Sequence, residues 1–293
     1  MSTNTSRNLL ASAEALARLR NTNYDLRARP ELGILAGHDS LADAVTLSVA
    51  CMHLGYNVVI ISEKCNEPIL KAAYEEIKTR HYCPNPMNTT DQYSSIKHYY
   101  ISRKDKDKCM SNLEKEEIDM IIACDRAGPS ADGYCYTVSG TKLNDKRFIA
   151  PLHDSVKHFR HRTNDMRKFI AIGDGGNELG FGKVIDKIHK HINNGKRIGA
   201  VANSNGKDIA ADHIIAADVS STRGVYALIA ATALVRAHDS DAFQYVTRVM
   251  PTEASQRKLW DRCIAAGKGG EASLKRGEEI ECLNTVRKVA MRY

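Results

Sequence analysis

The chain has 293 residues, of which 43% are hydrophobic and 26% charged, an ordinary balance for a globular protein. No apolar stretch approaches the roughly 18 residues of a membrane-spanning helix, so we expect a soluble protein with no membrane partner. The net charge is +7, but acids interrupt basic clusters such as "SRKDKDK" and "HFRHRTNDMRK". Proteins that bind nucleic acid usually concentrate Lys and Arg on one element. We therefore expect no nucleic-acid partner, and the charge fits attraction of small anionic substrates.

The N-terminal segment, residues 1–30, contains few acids and is rich in Ser, Asn and Arg, which is typical of a mitochondrial transit peptide. The same segment has five apolar residues at helical spacing, which equally predicts a first helix packed on the domain: Leu9, Leu10, Ala13, Leu16 and Leu19. Both interpretations stay open. We expect an intracellular protein of the mitochondrial matrix or the cytoplasm.

Seven short runs rich in apolar and β-branched residues predict strands, at residues 32–36, 57–62, 98–102, 119–124, 168–172, 197–202 and 213–218. Helical patterns cover residues 40–54, 66–80, 183–193 and 224–237, and residues 82–95 contain the turn formers of a surface loop. Strands that alternate with helices predict an α/β fold, with a mostly parallel sheet, helices on both faces and active-site loops at the carboxyl ends of the strands. We expect a single domain over 1–293, with an α/β core over 31–238 and a helical C-terminal tail over 239–293.

Eight cysteines stand at irregular spacings, and none forms a C-x-x-C pair. This pattern favours reduced intracellular thiols over a disulfide framework or a zinc site. For Cys135, which lies in a motif described below, we favour a buried packing role over a nucleophilic one.

The stretch "FIAIGDGGNELGFGKVIDKI", residues 169–188, contains five of the 19 glycines within ten positions, directly after a predicted strand. It is not a phosphate loop of a known type. Val184 follows the Lys where a P-loop needs Ser or Thr, and Glu178 stands where the dinucleotide fingerprint needs its third glycine. The sequence therefore disfavours an ATP- or NAD-dependent enzyme.

Polar groups within this glycine-rich loop are its unusual feature. Asp174, Asn177 and Glu178 together would suit an ammonium group, a divalent cation or a proton in transit. The alternative is that Asp174 and Asn177 only cap the following helix and shape the turn. We favour a functional role for the group as a whole.

A second loop, within "IIACDRAGPSADGYCY" (residues 121–136), also follows an apolar strand. Asp125, Arg126 and Asp132 emerge where the strand should end, so we expect them to face the same crevice as the glycine-rich loop. The planar guanidinium of Arg126 can bind a carboxylate with two hydrogen bonds. The alternative is an internal Asp–Arg pair that closes a turn.

Together, "GDGGNELGFGKV" and "DRAGPSADGYCY" resemble the D-glutamate cyclase family, over roughly residues 30–235. The resemblance implies a carbon–oxygen lyase (hydro-lyase) that converts D-glutamate to 5-oxo-D-proline and water, with a small-molecule amino-acid substrate. The chain departs from the family pattern at Asp125, where the family usually has Glu, and at Phe181, where it has Met.

Two further segments also differ from the family. "AGHDSLADA" keeps Gly37 and Asp39 of an acidic loop but lacks its Pro, and in "VSSTRG" the residues Ser221, Thr222 and Arg223 replace an amide and an aromatic. These changes leave two other interpretations open. One is an enzyme of the same scaffold that acts on another small amino or hydroxy acid, and the other is a non-catalytic protein that binds a small ligand.

The implied reaction needs a base near the amine, donors around the reacting carboxylate and an acid that releases water. Under this hypothesis, Asp174 and Glu178 bind the ammonium and accept its proton, Arg126 anchors a carboxylate, and the amides of Gly175 and Gly176 hold the oxyanion. The predicted catalytic residues are Asp174, Glu178, Arg126 and Asp125. The predicted substrate-binding residues are Gly175, Gly176, Asn177, Lys183, Asp132, Asp39 and Ser221.

We expect no organic cofactor. A divalent cation, if the reaction uses one, would bind to Asp125, Asp174 and Glu178. Formation of a homo-oligomer is left open by the sequence.

Overall fold

The computed structural model describes residues 3–19, 30–37, 40–78, 96–102, 104, 106–143, 152–161, 167–204, 207–218, 220–237, 242–267, 276–290 and 292. Asp39 and the loop predicted over residues 82–95 lie outside these ranges.

Six parallel strands form the central sheet, which confirms the predicted α/β fold. They are β1 (Glu31–Ala36), β2 (Asn57–Glu63), β3 (Ile96–Ile101), β4 (Met120–Cys124), β5 (Lys168–Gly173) and β8 (His213–Ala216). Their spatial order is β3-β2-β1-β4-β5-β8. A short antiparallel pair, β6 (Asn203–Ser204) and β7 (Lys207–Asp208), forms a second sheet.

Helices cover both faces of the sheet. In chain order they are α1 (Thr3–Ala17), α2 (Leu41–His53), α3 (Glu67–Lys78), α4 (Lys106–Leu113), α5 (His153–His161), α6 (Ile185–His191), α7 (Gly195–Ile198), α8 (Ser221–Ala237), α9 (Ala242–Val249), α10 (Glu253–Ala266) and α11 (Arg276–Ala290). On one face Ile34 and Ile122 pack with residues of α1, α2, α3 and α8 to α11. On the other face Leu35 and Ile121 pack with residues of α4, α5 and α6. This burial on two sides explains why the strands are almost continuously apolar.

The helix predicted in the N-terminal segment is confirmed as α1. Ala13 and Leu16 are fully buried, whereas Leu10 points outward. Among the helices that the structure describes, the longest has 17 residues, and no helix combines the length and the apolar character that crossing a bilayer requires.

The strand order reverses between β1 and β4, and at such a switch point the loops after the two strands diverge and leave a crevice. Hydrogen bonds connect the segment after β1 to the end of β4. The carbonyl of Cys124, the last residue of β4, accepts hydrogen bonds from the Gly37 amide (3.1 Å) and the Ser40 hydroxyl (2.9 Å). The start of α2 therefore lies beside the residues that follow β4.

The strand predicted over residues 197–202 is wrong. Ile198 ends the short helix α7, and the segment that follows binds to loops instead of a strand. The Val201 amide donates to the Pro129 carbonyl (2.9 Å), and the Ala202 carbonyl accepts from the Ile209 amide (2.8 Å). The apolar composition of this segment reflects packing under the loop after β4.

The central strand β4 allows a direct test of the core. Ile122 is fully buried and lies in register between Ile34 of β1 and Ile170 of β5. We expect Ile122→Ala to lower the free energy of unfolding by about 2–5 kcal/mol, because it removes buried apolar surface and leaves a cavity. Leu10→Ala, at an exposed site, should change it by less than about 0.5 kcal/mol. Urea denaturation of both variants measures the difference, and equal losses would contradict the described core.

Candidate active site

The loop after β4 and the loop after β5 are joined by backbone hydrogen bonds. The Leu179 amide donates to the Arg126 carbonyl (2.7 Å), and the Gly128 amide donates to the Asn177 carbonyl (2.9 Å). These bonds flank a short antiparallel bridge between the two loops. Both loops therefore emerge from the carboxyl end of the sheet with a fixed separation, as the sequence predicted for a shared crevice.

The side chain of Glu178 folds back onto its own loop. Its Oε1 accepts hydrogen bonds from the amides of Asp174 (2.7 Å) and Gly175, and its Oε2 accepts from the amide of Gly176 (2.7 Å). Only 2% of the residue is exposed. Burial raises the pKa of Glu178, and the backbone hydrogen bonds counteract this effect.

Two glycines allow the Glu178 side chain to fold back onto the loop. Gly176 has a φ of 86°, in the left-handed region that glycine adopts without strain. A Cβ atom at Gly173 would lie 2.3 Å from Cγ of Glu178, so a side chain there would displace the glutamate. The glycines of the loop therefore let the Glu178 carboxylate approach the backbone amides closely enough to accept their hydrogen bonds.

Three carboxylates meet where the two loops leave the sheet. Asp125, Asp174 and Glu178 each place one carboxylate oxygen within 4.8 Å of the others. Asp125 has a φ of 45°, a left-handed conformation that is uncommon for residues other than glycine. Its amide donates to the carbonyl of Ile172 (2.9 Å), which holds it in place beside β5. A strained residue held in this way is typical of a functional site.

The first residues of α8 bind these carboxylates. The Ser221 amide donates to Oδ2 of Asp174 (3.2 Å), and the Ser221 hydroxyl donates to Oδ2 of Asp125 (3.1 Å). The Thr222 hydroxyl donates to Oδ2 of a further carboxylate, Asp43 of α2 (2.7 Å). The positive end of the helix dipole favours negative charge at this position. Ser221 is thus a predicted site residue that the structure brings into the group.

Asp43 and Glu279 were not predicted from the sequence. Asp43 lies in the first turn of α2 and is 5% exposed, and Glu279 on α11 is 2% exposed. Burial raises the pKa of Asp43 to about 7, with the Thr222 hydrogen bond acting against it and the charges of Glu279 and Asp174 adding to it. Burial also raises the pKa of Glu279. Asp43 is the one acid in the mostly apolar helix α2, which is a usable signal, whereas the acid-rich start of α11 offers none for Glu279.

The structure differs from the expectation for Arg126. Its Nη2 lies 2.8 Å from Oε1 of Glu63, at the end of β2, and both side chains are almost fully buried. An internal pair is thus formed, but with Glu63 and not with an aspartate of its own loop. The expectation for Gly175 and Gly176 also differs, because their amides already donate to Glu178.

The remaining predicted residues that the structure describes do not belong to the group of carboxylates. Asn177 is buried and donates to the carbonyl of Tyr136 (2.7 Å), so it supports the loop. Asp132 is exposed and accepts from the Tyr134 amide (3.0 Å) within its own turn. Lys183 is exposed. Its positive charge contributes, after burial, to the lowered pKa of His213 at the amino end of β8.

Cys135 is fully buried, and burial raises its pKa to about 11. This environment matches the packing role that the sequence favours, because a reactive thiol needs a lowered pKa and access to solvent.

This arrangement can bind positive charge or move a proton. Carboxylate oxygens are the ligands that Mg²⁺ and Ca²⁺ prefer, so Asp125, Asp174 and Glu178 could hold a divalent cation. The same oxygens suit a substrate ammonium, and Asp174 is the exposed member of the three.

Comparison with known proteins identifies a family for the chain. A family model described as "D-glutamate cyclase-like, C-terminal" matches residues 36–291. A curated relative, the mitochondrial D-glutamate cyclase of Homo sapiens, is 31% identical over 147 residues. This match covers 50% of the chain and 22% of the human protein, so the matched segment spans less than a quarter of that relative's length.

The fold-back of Glu178 predicts a local effect of Glu178→Gln. The new amide nitrogen would face backbone donors, so we expect the free energy of unfolding to fall by about 1–3 kcal/mol. Hydrogen exchange at the amides of residues 174–176 should become faster, as measured by mass spectrometry. Glu75→Gln, at an exposed position of α3, serves as the matched control. Unchanged exchange in Glu178→Gln would contradict the described loop.

Proposed function

Because the chain belongs to the D-glutamate cyclase-like family, we propose that it is a lyase that converts D-glutamate to 5-oxo-D-proline and water. The observation that carries this proposal is the meeting of Asp125, Asp174 and Glu178 at the carboxyl ends of β4 and β5, below the first turn of α8. The family implies a small-molecule substrate, and an amino acid supplies the cation that such a group attracts.

The first requirement is to bind and deprotonate the amine, because an ammonium cannot act as a nucleophile. Asp174 is exposed and takes this role in our proposal, with Asp125 next to it. Glu178 differs from its predicted role. Its oxygens accept three backbone hydrogen bonds, so we assign it to positioning of the loop that carries Asp174.

The second requirement is to make the side-chain carboxylate of D-glutamate electrophilic. Arg126 is paired with Glu63, so we assign positive charge at this end to Arg223 of α8. Its side chain is 27% exposed, and its Nη2 lies 3.5 Å from the exposed Glu278, an ion pair that a substrate carboxylate can replace. A divalent cation held by Asp125, Asp174 and Glu178 would polarise the same carboxylate.

The reaction then closes a five-membered ring. The amine nitrogen forms a bond to the carboxyl carbon, a carbon–oxygen bond breaks, and the protons lost by the amine leave with that oxygen as water. Well-oriented intramolecular reactions reach effective molarities of about 10⁵ M or more, so the enzyme mainly has to orient and deprotonate the substrate.

A second candidate is an enzyme on another small amino or hydroxy acid. It is favoured by the start of α8, where Ser221 and Thr222 bind the carboxylates that line the crevice and where the chain departs from the family pattern. For the compartment we propose the mitochondrial matrix or the cytoplasm, and the human relative is named as mitochondrial.

Asp174→Asn should lower the rate of 5-oxo-D-proline formation by at least about 100-fold, because it removes the proposed base. The measurement is chiral mass spectrometry of 5-oxoproline after incubation with D- or L-glutamate, with and without EDTA. The matched control is Asp186→Asn, at an exposed position of α6.

Undiminished activity of Asp174→Asn would contradict the assignment of the base. Wild-type protein that forms no product from D-glutamate would contradict the proposed reaction. Loss of product in EDTA, restored by added Mg²⁺, would assign the divalent cation.

A further inference from the structure

Glu63 and Arg126 form a buried ion pair at the carboxyl end of the sheet. Glu63 ends β2 and Arg126 follows β4, so the pair reaches across the end of β1, which lies between them in the strand order. Nη2 of Arg126 lies 2.8 Å from Oε1 of Glu63, and the two side chains are 3% and 4% exposed. Loss of hydration offsets much of the attraction within a buried ion pair, so its net contribution to stability is small. The pair is therefore better explained by what it fixes in space.

The carboxylate of Glu63 is attached to the ends of two strands. Its Oε2 accepts a hydrogen bond from Nδ2 of Asn66 (3.2 Å), in the short 3-10 helix directly after β2. The same Nδ2 donates to the Ser62 hydroxyl (2.9 Å), which donates to the carbonyl of Ala36, the last residue of β1 (3.2 Å). Glu63 thus belongs to the framework of the sheet, whereas Arg126 belongs to a loop.

Arg126 connects the ion pair to both loops of the candidate site. Its carbonyl accepts a hydrogen bond from the Leu179 amide (2.7 Å), in the loop after β5. The residue before it is Asp125, whose φ of 45° lies in the left-handed region. A residue other than glycine keeps such a conformation only where its surroundings hold it. The side chain of Arg126 is therefore one candidate for what holds the backbone at Asp125.

Asp125 itself is held at three of its groups. Its amide donates to the end of β5, and the Ser221 hydroxyl donates to its Oδ2 (3.1 Å). Its carbonyl packs against the backbone of Gly37, where a Cβ atom would overlap the carbonyl oxygen. The ion pair between Glu63 and Arg126 fixes the next residue, so it completes the restraint of this turn.

We propose that Glu63 is a positioning residue, which acts through Arg126 to keep the Asp125 carboxylate beside Asp174. The inference rests on the proposed function in one respect, namely that Asp125 assists the base. Asp125 and Asp174 place carboxylate oxygens within 4.8 Å of each other. A displacement of about 1 Å can lower the rate of a reaction by about 100-fold. Without the charge of Glu63, the buried guanidinium of Arg126 loses this partner and pulls the loop toward another one.

Glu63→Gln removes the charge and keeps the length of the side chain. We expect kcat for formation of 5-oxo-D-proline to fall by at least about tenfold, because Asp125 moves away from the reacting group. KM for D-glutamate should change by less than about threefold, since Asp174 and Arg223, which we assign to substrate binding, keep their places. A large rise in KM with an unchanged kcat would place Arg126 on the substrate and overturn the proposal.

The matched control is Glu76→Gln. It removes the charge of another Glu–Arg pair, in which Oε2 of Glu76 on α3 lies 2.9 Å from Nε of Arg262 on α10. We expect this variant to keep the kcat of the wild type. An equal loss of kcat in Glu76→Gln and Glu63→Gln would overturn the specific role of Glu63.

A double variant, Glu63→Met with Arg126→Met, distinguishes positioning from a merely structural role. Replacement of both partners of a buried ion pair by apolar side chains is often neutral for stability. We expect the urea midpoint of the double variant to return toward that of the wild type, while kcat stays at least about tenfold lower. Recovery of both quantities would overturn the proposal. Should the double variant fail to fold, Glu63→Gln carries the test alone.

Hydrogen exchange, measured by NMR on the full chain, needs no turnover. The amides of Asp125 and Leu179 should exchange at least about tenfold faster in Glu63→Gln, because their hydrogen bonds open more often when the loop is released. The Ile122 amide, in the middle of β4, should change less. An equal increase at Ile122 would indicate a global loss of stability, and unchanged exchange at Asp125 and Leu179 would indicate no restraint. Either result would overturn the proposal.

Failure of the proposed reaction is distinguishable from failure of this inference. If the wild type forms no 5-oxo-D-proline from D-glutamate, the proposed reaction fails, and exchange at Asp125 and Leu179 still decides whether Glu63 positions the loop. If the wild type is active and Glu63→Gln exchanges faster with an undiminished kcat, the reaction stands and the positioning role is overturned.

Discussion

The contact on which the site depends is that between the Glu178 carboxylate and three consecutive backbone amides. It closes the loop after β5 into a compact turn, and it requires glycine at the positions where the side chain meets the backbone. The bridge to the loop after β4 then sets the position of Asp125 relative to Asp174. A polar loop at the end of a buried strand thus acquires a defined shape without a large hydrophobic core of its own.

The second constraint is the density of negative charge at the start of α8. The hydroxyls and amide of Ser221 and Thr222 bind Asp43, Asp125 and Asp174. A helix terminus stabilises charge by at most about 2 kcal/mol in a partly buried setting. Burial of an ion such as Asp43 costs several kcal/mol, so the helix alone cannot keep the whole group ionised. The remaining negative charge has to be neutralised by a cation, a substrate ammonium or a retained proton. Each of these is compatible with deprotonation of an amine in this crevice.

Much of the fold and of the two loops of the candidate site could be predicted, because local patterns determine them. Continuous apolar runs mark the strands of a sheet buried on both faces, and turn residues mark the loops where Asp125 and Asp174 emerge. Contacts between side chains that are far apart in the sequence could not be predicted. Nothing near Arg126 indicates that Glu63, which lies beyond β1 in the sheet order, would bind its guanidinium. The contributions of Asp43 and Glu279 arise only because α2 and α11 both pack beside α8. Over residues 197–202 the local pattern predicted a strand that is not formed, since the apolar residues there pack under a loop and not in the sheet.

The most direct test of the central claim, that the crevice below the first turn of α8 is the substrate site, is a crystal structure with bound 5-oxo-D-proline. The account predicts density for the ring nitrogen next to Asp174 and for the carboxylate on the side of Arg223, with the Glu178 turn unchanged. Density at another edge of the sheet, or a Glu178 side chain released from its three amides to contact the ligand, would contradict it.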